Sequence, residues 1–161
     1  MTRKRIYHRP PGLETHFEQH YRYHSDLQYL VKTLALMNGK FGMFEPQNRT
    51  IQKYVQMKRE IGVEIVTNGV DFAPINHGNI NKTIGTIEPE GAIDFRINLF
   101  YTYLDENYSR VPFRNDSYIV HADLKDSILA LQISHLDGPR ITEVDRIADT
   151  IIDEIRRGSC G

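Results

Sequence analysis

The 161-residue sequence contains no tryptophan and a single cysteine, Cys160, in a terminal Ser-Cys-Gly. One cysteine cannot close an internal disulfide, so the fold is expected not to depend on an oxidising compartment. No apolar run approaches the ~20 residues that a membrane-spanning helix needs. The opening MTRKRIYHRPPG lacks the apolar segment that marks a secretory signal. Twenty Lys and Arg against twenty-one Asp and Glu leave a net charge of -1, which gives the chain no overall attraction for nucleic acid or an anionic membrane. The sequence holds no Cys-x-x-Cys pair, no phosphate-binding Gly-x-x-x-x-Gly-Lys and no Gly-x-Ser-x-Gly elbow. Each absence withdraws the usual sequence support for one chemistry: dithiol redox, nucleotide-phosphate binding and serine acyl transfer. The expected location is cytoplasmic, or a virion if the chain is an assembly component.

What remains is a chain that is 40% hydrophobic and 25% charged, the balance of one ordinary globular domain. Residues 1–12 read as a basic arm: Arg3, Lys4, Arg5 and Arg9 precede Pro10 and Pro11, which block a helix. Residues 13–157 read as a single α+β domain, and 158–161 as a tail. Residues 13–38 show an apolar stripe of Leu13, Phe17, Tyr21, Leu27, Val31 and Leu34, predicting a long helix ended at Gly39. A second helix is predicted over 50–61 from Ile51, Tyr54, Val55, Lys58 and Ile61.

Strand patterns follow. Residues 62–67 and 69–75 flank Asn68-Gly69, a strong hairpin signal. Residues 82–88 and 92–104 flank Pro89-Glu90-Gly91. In the latter run Ile93, Phe95, Ile97, Leu99, Tyr101 and Tyr103 alternate with polar residues, so one face is buried and the other wet. Residues 105–116 are polar, contain Pro112 and read as a loop. Residues 117–123 and 126–134 form a further hairpin across Leu124-Lys125. A last helix, capped by Thr142 and running to about Arg157, buries Ile141, Val144, Ile147, Ala148, Ile151, Ile152 and Ile155. The prediction is a mainly antiparallel sheet of five to six hairpin-linked strands, with two N-terminal helices and one C-terminal helix. A sheet curved around the last helix fits this order, as does a flatter sheet used for subunit packing.

The most chemical-looking stretch is HFEQHYRYH, with His16, His20 and His24 at four-residue spacing. On a helix at ~100° per residue these rings fall on the apolar side. His16 and His24 would lie ~12 Å apart along the axis, so one ion could use only a pair. Further ligands would come from the β region, Asp123 foremost. His121-x-Asp123 and His135-x-Asp137 put imidazole and carboxylate on one strand face. His77 and Asn79 sit in an Asn-rich connection suited to a binding loop. No motif calls for a cofactor; a divalent metal such as zinc is what the histidine row admits. The blander reading satisfies the same rings with tyrosines and backbone inside a core or interface.

These features lead to one expectation and two rivals. The leading expectation is a non-catalytic, self-associating subunit of a ring- or tube-type homo-oligomer, including a virion-type component. The long alternating strand would extend beyond one subunit, the first helix would pack by a polar-aromatic face, and the arm would reach a larger assembly. One rival is a metal-dependent hydrolase built on a histidine pair. The other is a small-ligand binder under a curved sheet.

Overall fold

The computed structural model describes residues 14–46, 49–66, 72–75 and 78–159. In chain order the elements are β1 (Phe17–Arg22), α1 (Leu27–Met37), β2 (Phe41–Met43), β3 (Val55–Val66), β4 (Phe72–Pro74), α2 (Ile80–Ile84), β5 (Gly91–Leu104), β6 (Arg110–Lys125), β7 (Ile128–Asp137) and α3 (Val144–Ser159). The strands form one antiparallel sheet in the order β1-β7-β6-β5-β3-β2, with β4 also on β3. The class is α+β, and the sheet is curled.

Alternation in the long strands builds the core. Met57, Ile61, Val63 and Ile65 of β3 join Ile93, Phe95, Ile97, Leu99 and Tyr101 of β5, with Tyr118, Val120, Ala122 and Leu124 of β6 and Leu129, Leu131 and Ile133 of β7. Leu27, Leu30, Val31 and Leu34 of α1 and Ile147, Ala148, Ile151 and Ile152 of α3 complete the same cluster. Both helices therefore cover one face of the sheet, and α3 carries the apolar stripe its sequence predicts. Register shifts at Val55/Lys58, Phe100/Thr102 and Ser117/Tyr118 are the irregularities that sharpen local twist.

The N-terminal helices differ from expectation. Residues 17–22 are a strand, because Phe17 and Tyr21 satisfy a period of two as well as a helical stripe. Helix α1 begins only after Asp26, whose Oδ1 accepts the Tyr29 N–H at 2.8 Å, an N-cap. No helix fills 50–61: β3 starts at Val55. Its buried row of alternate residues is interrupted by Arg59, which hides the period-two pattern. Residues 82–88 are not a strand; α2 and a turn occupy them. Most of 105–116 is strand, since only a tight turn at 105–109, held by Asp105 Oδ1 accepting Asn107 and Ser109 N–H, separates β5 from β6. Pro112 is tolerated beside the β5–β6 irregularity. The β6–β7 hairpin turns at Asp126-Ser127, both at positive φ (52° and 62°), two residues beyond the predicted turn.

Candidate functional site

The structure disperses the histidine row. His16 and His20 lie on the edge-strand side of the sheet and His24 in the exposed connection to α1. His16 Nδ1 accepts the His135 backbone N–H at 2.9 Å, taking a ladder position where strand pairing with β7 begins. His20 lies on the face opposite the core, 3.5 Å from Glu18 Oε1. Glu18 also accepts from Gln132 Nε2 at 3.1 Å. That amide first, and His20 second, hold the exposed Glu18 carboxyl below its ordinary range. Asp123 shares a cross-strand row with Ala130 and His20, two strand spacings (~10 Å) from His20. Among the described residues no three His, Cys, Asp or Glu side chains gather as a metal-holding group.

The two His-x-Asp pairs are also rearranged. His121 turns to Asp94, its partner across β5 and β6, at 2.5 Å, while Asp123 is exposed. His135 turns to the fully buried Asp116 at 3.2 Å, and Asp137 Oδ1 accepts the Gly138 N–H. Asp116 also accepts the backbone N–H groups of Arg140 and Ile141 at 2.6 and 2.7 Å, so it anchors the approach to α3. Thr142, expected as a cap, is buried instead: Tyr101 bonds its hydroxyl and Tyr118 its carbonyl. Burial raises the pKa of both tyrosines far above the ordinary phenol value. This network is inward-facing and reads as scaffold. Asn79 donates to the Pro74 carbonyl at 2.8 Å, tying β4 to α2. His77, Arg3, Lys4, Arg5 and Arg9 lie outside the described residues.

The middle of the outer sheet face satisfies itself. Arg96 donates twice to Glu64, at 3.2 and 2.7 Å, Asn98 donates to Glu64 at 2.6 Å, and Ser117 donates to Asn98 at 2.8 Å. The β2 end is different. Phe41 is 56% exposed and Met43 66%. Phe41 pairs with Glu60 and Met43 with Lys58, and Glu60 in turn pairs with the exposed Phe100. Cross-strand partners share a face, so these apolar side chains lie together on the outer face, with Lys58 Nζ 5.3 Å from the Phe41 ring centre.

The backbone of β2 is equally one-sided. Ile61 donates to Lys40 and accepts from Gly39, and Phe44 donates to Met57. Inward-pointing backbone groups therefore alternate along β2. Gly42, opposite Arg59, turns its N–H and C=O to β3, and Phe41 and Met43 turn theirs off the sheet.

On the inner side of the same rim, a groove of about 370 Å³ separates β2 and β3 from α3; Lys40, Gly42, Arg59, Glu154 and Arg157 line it. A neighbouring hollow of about 260 Å³ shares Arg59. Glu154 accepts from Lys40 and Arg157. Arg59 reaches Thr142 Oγ1 at 3.3 Å and stacks 5.1 Å from the Phe44 ring. Little in the sequence points to this region: Phe41-Gly42-Met43 is too short for periodicity, and Arg59 belongs to no motif.

Fold and geometry define an α+β protein with a curled antiparallel sheet, helices on one face and an exposed apolar edge. No protein-family model matches the chain, and no curated protein or solved structure is matched by it. No described helix is long and apolar enough to cross a membrane.

Proposed function

We propose that the chain is a non-catalytic structural subunit that assembles with copies of itself. The observation that carries this reading is the β2 edge, where outward backbone groups coincide with the exposed Phe41 and Met43. Uncovered sheet edges template further pairing, and proteins that stay monomeric blunt them with charge, proline or a covering segment. This edge carries an aromatic ring and a thioether. The sheet path also ends at β1 on its other side, and two separate edges on one subunit are what a ring or tube, including a virion-type assembly, needs. Light scattering across a concentration series tests the reading. A mass that stays at one chain at high micromolar concentration removes it.

Arg59 supports a second reading, a small-ligand binder. Arg59 lines both the groove and the neighbouring hollow, and its guanidinium takes part in none of the ion pairs among the described residues. A carboxylate or phosphate group entering the groove would complete it. Citrate or inorganic phosphate should then raise the melting temperature of the wild type and not of Arg59→Gln. No shift with either ion removes this reading.

A further inference from the structure

We infer that two copies of the chain pair through β2, antiparallel, about a two-fold axis at Gly42. The inference rests on the self-association reading above and names its contact.

The sequence of β2 is matched to its own reverse. In an antiparallel pair centred on Gly42, Phe41 of each copy falls opposite Met43 of the other. Phe41 and Met43 are the positions whose N–H and C=O groups point off the sheet. The register that closes the hydrogen bonds is therefore also the one that joins the apolar side chains. Two Phe41–Met43 pairs would form on the outer face, each flanked by Glu60 from one copy and Lys58 from the other. Aromatic and thioether side chains make favourable contacts, and no like charges meet across the seam.

What favours a second copy over an unrelated strand is this self-complementarity, Phe41 to Met43 and Glu60 to Lys58, and Gly42 does not obstruct it. Its φ is not in the left-handed region, so the backbone does not demand glycine. A Cβ added there meets nothing within 4 Å, so packing inside one subunit does not demand it either. Gly42 would face its own copy in a non-hydrogen-bonded pair, the closest approach in an antiparallel ladder, with Cα atoms ~4.5 Å apart. Small side chains fit such a pair, whereas a lysine from both copies would set like charges opposite each other.

The same proximity gives the test. Gly42→Cys, in a Cys160→Ser background, places two thiols within disulfide reach, because Cα separations of about 4.4–6.8 Å support the bond. Leu36→Cys in that background is the control: Leu36 is 55% exposed and lies on α1, away from the seam. Mild oxidation at low micromolar concentration, read on a non-reducing gel, should cross-link most of the Gly42→Cys chain and little of the control. Gly42→Lys should keep the far-ultraviolet circular dichroism of the wild type and lose the dimer in light scattering. If the wild type is a dimer or larger while Gly42→Cys cross-links no more than Leu36→Cys, the β2 contact is wrong and self-association stands. If the wild type is a monomer, both fall.

Discussion

Gly42 sits opposite Arg59 across β2 and β3, and that register turns the amides of Phe41 and Met43 off the sheet. Hydrogen exchange can read this directly. In dilute protein the Phe41 and Met43 amides should exchange as open groups while Gly42, bonded into the ladder, is protected. At high concentration all three should be protected together. Equal, concentration-independent protection would show that the edge is not where copies meet.

Asp116 holds the chain that leads into α3. Its buried carboxylate accepts two backbone N–H groups and the His135 ring. Asp116→Ala leaves those donors without an acceptor, at a cost of about 3 kcal/mol. Asp116→Asn keeps one carbonyl acceptor and should cost less. Urea unfolding of the two variants checks both the size and the order.

Gly138 adopts φ +99°, and a Cβ there would come within 2.1 Å of the Asn115 carbonyl oxygen. Gly138→Ala combines backbone strain with a backbone clash and should destabilise by about 2 kcal/mol or more. Gly42→Ala, with open space around its Cβ, should leave the stability of the isolated subunit within about 0.5 kcal/mol of wild type. Thermal melts in dilute protein compare them.

Alkaline pH should unfold the protein through its tyrosines. Burial pushes Tyr23 up to about 12 from an ordinary 10.0, and raises Tyr101 and Tyr118 further. Below the ordinary value both folded and unfolded chains keep the proton, so this stabilisation is fully present. Above it the unfolded chain releases protons that the folded chain retains. Stability therefore falls as pH rises, by about 1.4 kcal/mol per pH unit for each such tyrosine. Denaturant midpoints measured from neutral pH upward should be level and then decline beyond pH ~10; a level profile throughout would contradict the burial of these phenols.

The sequence exposed those parts of the fold where one period stood alone. Ile93 to Tyr103 alternate without interruption and are β5, and the stripe from Val144 to Ile152 is α3. The histidine row misled because a spacing of four satisfies a helix and a strand face equally, and Phe17 and Tyr21 repeat the ambiguity. Asp26, the residue that decides where α1 begins, is a short-range cap inside that ambiguous run. In β3 the guanidinium of Arg59 occupies an inward position between Met57 and Ile61, so the apolar row is broken where the groove needs a polar group. The His121-x-Asp123 spacing does keep both residues on one strand face, but the register shift at Ser117/Tyr118 sets His135 opposite the inward Tyr118 and Asp137 opposite the outward Ser117, and the carboxylates the two imidazoles take, Asp94 and Asp116, come from neighbouring strands. Such pairings depend on register, which a single sequence does not carry. The edge at Phe41-Gly42-Met43 left even less trace, since its meaning lies in what does not cover it among the described residues.

Self-association through β2 is measured most directly by the mass of the full chain in light scattering, taken from low to high micromolar concentration for wild type and Gly42→Lys. The expected result is a wild-type mass of two chains or more that falls toward one chain on dilution, and a Gly42→Lys chain that is folded and remains lighter at every concentration. A folded wild type at the mass of one chain throughout would contradict it.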